Sequence, residues 1–517
     1  MNILLLNPPP RDIGWYRAEH LGLAYLASAL RNQGYPVTIL DANLENLSIQ
    51  EMYEKIKKLS LKIDLIGITA TESESLTSGI EVIKKLKHDG LAAHVTAGGY
   101  FPSFWCDEIF NQFSEIDSIV IGEGEETIVE LADALNSTKN FDKVSGLVFR
   151  NKSGQVIHNQ PRKLIKNLDK IPFPSRDYCS TSYQKYHHAV VYSSRGCYHQ
   201  CSFCQIAKFY RFTRETPFRT RSAANIVDEI EILISDFGIR SIFFVDDEFI
   251  TESPKRRQVL DDLVHEINRR NLIFSFSIQY RANTGQDKEL LQNLKNVGLT
   301  TVFVGVESGV EKELDHFEKD IDISCIKNSL QIIDDLELNN NIGYILYNPS
   351  TTFDDLKQSI EFLLAPDSPS VLKLNGLELL KGTQEEAYTR QHELIKTNGF
   401  HLSYRILDKR VAKFAELRRH YYPIYEPVAR DFYELHFLMG DLSKDDMISY
   451  KRKIKTIEIE IRKLHKVFLQ HALDDLYIEK GKGGGWLVDL KDAFILLHNK
   501  SQQLLAEGQK MIKTNYL

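Results

Sequence analysis

Over the first 140 residues, five short apolar runs alternate with amphipathic segments, and this alternation confines the fold more than any other feature of the 517-residue chain. The runs are NILLLN, PVTILDA, DLIGITAT, AHVTAGG and DSIVIGEGEE. The segments between them, such as LGLAYLASALRNQG, carry apolar residues at helical spacing and end on glycine. Strands and helices alternating in this way build a parallel sheet covered on both faces, a doubly wound Rossmann-like α/β domain over residues 1–140. Ligands bind such sheets beyond the carboxyl ends of the strands. The residues at that edge are Asn7, Thr69, Thr71, Gly98, Gly99, Gly122, Glu123 and Gly124. Glycine there lets a ligand approach the backbone; ordinary tight turns are the competing reading.

Residues 141–187 read as a connector. SGLVFRNKSGQVIHNQPRKL has the pattern of a small hairpin, and the two prolines of LDKIPFPSRDY forbid a continuous helix or central strand. From 188 to 385 six runs recur: HAVVYSS, SIFFVDD, FSFSIQY, TVFVGVESG, NIGYILYN and VLKLNGLELL. Six βα units imply a partial TIM-type (β/α)6 barrel whose active site lies at the carboxyl ends of its strands. From 386 to 517 helical patterns dominate. Ile454, Ile457, Ile461, Leu464 and Phe468 form an apolar helical stripe that reads as core. RRHYYPIYEPVARDFYELHF reads first as aromatic helix packing and second as a substrate-pocket wall. GKGGGW, 481–486, lacks the phosphate-loop pattern and reads as a turn.

The sharpest chemical signal is SSRGCYHQCSFCQ, which follows the first barrel run and holds Cys197, Cys201 and Cys204. Structural zinc sites usually take four protein ligands, whereas three leave a coordination position open. Three thiolates at this spacing suit three irons of a 4Fe-4S cube. The fourth iron is then free to chelate the amine and carboxylate of a small molecule such as S-adenosylmethionine, a carrier of radical chemistry. Cys106, Cys179 and Cys325 lie far apart and read as small buried hydrophobes.

Charge and hydropathy narrow the partners. A formal charge of -7 and a pI near 6.2 provide no general attraction to nucleic acid or anionic membrane. No stretch approaches the roughly 20 apolar residues of a membrane span, and the N-terminus lacks signal-peptide features. The expected location is cytoplasmic, where thiols stay reduced and clustered cysteines mean metal or redox chemistry.

CYHQCSFC, with Phe203 before its third cysteine, resembles the signature of radical S-adenosylmethionine enzymes. IGEGEETIVELADAL, LDKIPFPSRD, SSRGC, VDDEF and VGVESG fall in the order found in the cobalamin-binding subfamily. The resemblance covers roughly residues 1–385. It implies that Cys197, Cys201 and Cys204 hold the 4Fe-4S cluster and that Phe203, Arg281, Glu307 and Ser308 contact S-adenosylmethionine. For Arg281 a structural ion pair is the alternative. Asp246 and Asp247 either orient a ligand or cap the next helix. The resemblance also assigns cobalamin to the N-terminal domain, at the strand-end residues named above. The Asp-x-His-x-x-Gly pattern that supplies a lower cobalt ligand in many such domains is absent; NPPPRDIGWYRAEHLG stands in its place. A loop residue near Trp15 or Tyr16 is the candidate for that face, and His20 reads as part of the first helix.

The implied activity is methyl transfer to an unactivated carbon, or a phosphinate, of a small molecule, lipid or peptide, with flavodoxin or ferredoxin as electron donor. A cobalamin-dependent cyclisation, rearrangement or oxidation is the alternative. A non-catalytic cobalamin or iron-sulfur sensor is the reading from a different class. A methylthiotransferase would need a second cluster, for which Cys106 and Cys179 are too few.

Overall fold

The structure is a computed structural model and describes residues 1–9, 18–59, 62–137, 140–212, 218–365, 373–442, 444–477 and 485–515. Trp15, Tyr16 and 481–484 of the glycine turn lie outside the described residues.

All five N-terminal runs are strands: β1 (Ile3–Asn7), β2 (Val37–Asp41), β3 (Ile63–Thr69), β4 (Ala92–Gly98) and β5 (Ser118–Val120). They pair in parallel in the order β2-β1-β3-β4-β5, a doubly wound arrangement. β1 is buried along its whole length because helices cover both faces. One face packs α2 (Ile49–Lys58), α3 (Ser73–His88), α4 (Tyr100–Phe104) and α5 (Cys106–Gln112); the other packs α1 (Leu21–Asn32) and α6 (Glu125–Asn136). The starts are chemically specified. Ser48 and Glu51 form a reciprocal capping box on α2, and the His20 ring accepts a hydrogen bond from Leu23 N–H as the N-cap of α1. The hairpin expected after residue 140 is β6 (Leu147–Arg150) with β7 (Val156–His158). It extends the same sheet antiparallel to β5, so the first sheet runs past 140.

After α7 (Cys179–Tyr186) comes the second sheet, from β8 (Ala189–Val191). Two-residue strands β9 (Ser194–Arg195) and β10 (Arg219–Thr220) pair antiparallel around the cysteine loop and α8 (Ile206–Phe209). β11 (Ser241–Phe244), β12 (Ser275–Arg281), β13 (Leu299–Glu307) and β14 (Asn339–Tyr344) complete a parallel sheet ordered β14-β13-β12-β11-β8. Helices α9 (Ala223–Phe237), α10 (Pro254–Arg269), α11 (Lys288–Asn296), α12 (Glu311–His316), α13 (Ile323–Asp335) and α14 (Phe353–Leu364) cover it. The sixth run contributes one parallel bridge, Ile345 to Asn375, rather than a full strand.

The C-terminal region is mainly helical, as expected, with a short hairpin. Helix α15 (Gln384–Gln391) and hairpin β15 (Ile395–Asn398) with β16 (His401–Tyr404) strap the barrel to the first domain. Phe400 there packs among Phe101, Trp105 and Phe113. Helix α16 (Lys409–Leu438) runs along the barrel's open side. Arg418 and Tyr425 bind the backbone of Leu374, Tyr433 meets Asn341 of β14, and Phe437 stacks on His188 at 3.8 Å just before β8. Thus α16 stands in the gap between the last and first strands. With α17 (Lys444–Tyr477) and α18 (Leu487–Asn515) it shares one continuous core with the barrel. Ile454, Ile457, Ile461 and Phe468 are buried in that core, and most of the aromatics of 418–437 pack there too. Cys106 and Cys179 are buried as expected, whereas Cys325, near the start of α13, is partly exposed.

Candidate active site

The cysteine loop leaves β9 at Arg195 and is held on every side. Asp246 is fully buried and accepts hydrogen bonds from Ser193 N–H at 3.2 Å, the Ser193 hydroxyl at 2.7 Å and the Ser194 hydroxyl. Asp247 accepts from Gly196 N–H at 2.8 Å. Neither aspartate caps the next helix, which begins at Pro254; both brace the loop. Burial raises the Asp247 carboxyl to about 6, against the lowering effect of Gly196. On the far side Ser202 N–H donates to Phe317 O and the Ser202 hydroxyl to Glu385 at 2.6 Å, while Gln205 binds Lys381 O. Glu248, with no exposed surface, lies 3.2 Å from the Cys197 sulfur. Burial pushes the thiols of Cys197 and Cys204 up, the latter to about 11. Among the described residues no three His, Cys, Asp or Glu side chains converge on one ion-sized point, and a cube with each thiolate on a different iron does not require it.

Around these cysteines the strand ends deliver their polar residues. Arg281, the last residue of β12, donates to the Cys201 sulfur at 2.8 Å, to Asn283 and to Lys319 O. Glu307, the last residue of β13, sits at φ 67°, a left-handed conformation uncommon outside glycine, at a register shift against β14. Such outliers cluster at functional sites. Its carboxylate pairs with the buried Lys319 ammonium at 2.9 Å. Gly305 and Gly343 leave room for that pair, since a Cβ on Gly305 would come within 3.0 Å of both groups and one on Gly343 within 3.4 Å of the Glu307 carboxylate. Phe203 meets Phe317 edge-on. Ser308 is different. It is fully buried, accepts from Val310 N–H and turns toward Tyr344 rather than the loop.

A cavity of about 290 Å³ lies where the first sheet meets the barrel. Its first-domain wall contains Thr69, Thr71, Gly98, Gly99, Gly122, Glu123 and Gly124, so seven of the eight strand-end residues converge on it. Asn7 does not; its amide donates to Asp41 at 2.7 Å. Gly99 (φ 104°) and Gly122 (φ 76°) need the freedom of glycine. His20 also lines the cavity with both ring nitrogens engaged, Nδ1 by Leu23 N–H and Nε2 with Thr69 Oγ1 at 3.1 Å. Burial lowers it to about 4, so the ring is neutral. The barrel supplies Tyr192, Arg195, Phe209 and Tyr210.

Glu123 lines the cavity, yet its carboxylate is consumed. Arg195 reaches Glu123 at 3.1 Å and Glu125 at 2.6 Å, and Arg219 reaches Glu123 at 2.9 Å, all four side chains being buried. Sequence reading passed over Arg195, Arg219, Glu248 and Lys319, because their partners lie dozens of residues away except for Glu307. The arginine of SSRGC, two residues before Cys197, was the one local signal available.

Fold and site together define a two-domain enzyme architecture, a cofactor-binding sheet docked on the mouth of a partial barrel with a three-cysteine loop between them. Residues 16–132 match the family model for the B12 binding domain, and residues 191–363 that for the radical SAM superfamily. An uncharacterized methyltransferase of Pyrococcus horikoshii is 31% identical over 370 residues, 70% of this chain and 77% of that protein. An anaerobic magnesium-protoporphyrin IX monomethyl ester cyclase of Synechocystis is 26% identical over 383 residues, 72% of this chain and 74% of that protein. The solved structure of the cobalamin-dependent S-adenosylmethionine radical enzyme OxsB, with aqua-cobalamin and S-adenosylmethionine bound, superposes with a TM-score of 0.74 at 19% identity, covering 100% of this chain and 81% of that one. The chain therefore belongs to the radical S-adenosylmethionine enzymes that carry an N-terminal B12-binding domain. Among the described residues no helix is long and apolar enough to cross a membrane.

Proposed function

We propose that this enzyme transfers a methyl group to an unactivated carbon of a small molecule, lipid or peptide, using a 4Fe-4S cluster, S-adenosylmethionine and cobalamin. One observation carries the reading: the cavity joining the two domains has B12-domain glycines on one wall and Arg195, two residues from Cys197, on the other. When bound, the cluster with S-adenosylmethionine supplies a hydrogen-abstracting radical, and cobalamin carries the methyl group.

The residues fit these groups. Cys197, Cys201 and Cys204 are three soft ligands for cluster iron, with Arg281 hydrogen-bonded to the second. Glu307 and Lys319 would offer opposite charges to the amine and carboxylate of S-adenosylmethionine. Phe203 and Phe317 supply an apolar wall. In the first domain, Gly98, Gly99, Gly122 and Gly124 form a cradle that Cβ atoms would fill; on Gly99 one would come within 3.1 Å of Ala70 O and on Gly124 within 3.1 Å of Leu26. His20, already bound through both nitrogens, is not a free cobalt ligand.

The test is anaerobic reconstitution with iron, sulfide and hydroxocobalamin, followed by mass spectrometry with candidate substrates. S-adenosylhomocysteine and 5'-deoxyadenosine formed together, with a methylated product, support the proposal. Deoxyadenosine without homocysteine product favours cyclisation or oxidation, the reading suggested by similarity to the cyclases. Neither adenosyl product from a cluster-loaded enzyme overturns both. A Cys201→Ala variant should lose cluster absorbance and deoxyadenosine together.

A further inference from the structure

Arg195 belongs to two sites at once. Its side chain lines the interdomain cavity, and its backbone opens the loop that carries Cys197 two residues later. The guanidinium forks between Glu123 at 3.1 Å and Glu125 at 2.6 Å, the residues flanking the cavity glycine Gly124. It also lies over the rings of Tyr25 and Tyr192, at 5.1 and 5.9 Å. Glu123 is fixed further by Arg219 at 2.9 Å and by Ile165 N–H at 3.3 Å. Two buried carboxylates thus meet two buried guanidiniums, an arrangement with little tolerance for displacement, because each charge left unpaired in the interior is costly. The loop is anchored a second time one residue on: Gly196, at φ 82°, donates to Asp247.

We infer that Arg195 is a positioning residue that couples the cobalamin cavity to the cluster loop, so that filling either site tightens the other. The inference rests on the function proposed above. Its physical basis is short leverage. Two residues span at most about 7 Å of chain, so a shift of the 122–125 loop by a ligand is handed to the Cys197 backbone through one rigid fork. Coupling of this kind is reciprocal. A purely structural bolt between domains would hold them together equally in all ligand states and would show no such dependence.

The experiment titrates hydroxocobalamin into the full-length protein anaerobically, with the cluster assembled and with iron removed, following the corrin absorbance. The cluster is expected to raise affinity at least about fivefold. In Arg195→Lys, which keeps the charge and loses the fork, the ratio should fall to within about twofold. Cobalamin addition should shift the EPR signal of the reduced cluster in the native chain and not in the variant. Glu125→Gln is the second variant and decides the matter where circular dichroism shows that Arg195→Lys has lost its fold. A native ratio near one, or the same ratio in native and variant proteins, overturns the coupling alone. No hydroxocobalamin binding in either state overturns the proposed function and the coupling with it.

Discussion

The Arg281 guanidinium donates a hydrogen bond to the Cys201 sulfur at 2.8 Å and another to the Lys319 carbonyl, tying the end of β12 to the cysteine loop and to the turn after α12. With Cys201 holding the cluster as proposed, a donor on its sulfur would stabilise the reduced, more negative state. Arg281→Met removes that donor and a positive charge. The cluster midpoint potential is expected to fall by about 60 mV, the one-electron equivalent of about 1.4 kcal/mol. An EPR-monitored redox titration without S-adenosylmethionine checks this, and an unchanged potential would assign Arg281 to packing alone.

Glu307 and Lys319 form a pair whose members depend on each other. Lys319 has a side-chain exposure of 3% and Glu307 one of 14%, so removing one partner strands a charge in a poorly solvated place. Glu307→Gln should lower unfolding stability by about 2–3 kcal/mol, somewhat below the fully buried range because Glu307 keeps some solvent contact. Glu307→Gln combined with Lys319→Met should recover most of the loss. Additive losses in the double variant, read from denaturant melts, would show that the pair is not coupled.

Acid should destabilise the fold through its buried histidines. Burial lowers His20, His94 and His188 to about 4 and His465 to about 3. An unfolded chain titrates them near 6.5, so below that pH the unfolded state binds protons that the folded state refuses. Their stabilising contribution is complete above 6.5 and falls toward pH 4, by up to about 1.4 kcal/mol per unit for each ring. Asp41 and Asp247, raised to about 6 by burial, act with the opposite sign: their contribution is complete below 3.8 and is lost as pH rises through 6. Burial also raises Glu19, Asp246 and Glu313 and lowers His436, so the share of one ring is read by substitution, as the slope of melting temperature lost between pH 6.5 and 4.5. His465→Leu should flatten that slope, and an identical slope would remove His465 from the account.

Gly440 ends the passage of α16 past the barrel. A Cβ there would overlap the Ser275 hydroxyl and crowd Ser241, at the starts of β12 and β11. Gly440→Val should cost about 1–3 kcal/mol of overpacking. It should also expose the seam between α16 and the barrel to faster amide exchange near Phe437 and His188. Native exchange rates there would show that the foot of the barrel does not rely on this contact.

Much of the molecule was determined locally. The five N-terminal runs became β1 to β5 because a strand buried on both faces needs an unbroken apolar stretch, and the helices between them need one apolar stripe. The spacing of the three cysteines by itself pointed to an open metal site. Tertiary structure decided the rest. Asn7 and Ser308 carried the right positions at strand ends, yet their side chains turn to Asp41 and Val310. Glu123, expected on a ligand, closes an ion pair with Arg195 across the domain interface, and Lys319 finds Glu307 through the turn after α12. The hairpin at 395–404 lies on the first domain because Phe400 completes an aromatic group there. Periodicity reports which face of an element is buried, since that is set every few residues. Which buried charge meets which depends on how loops distant in the chain approach one another, and no local pattern records that approach.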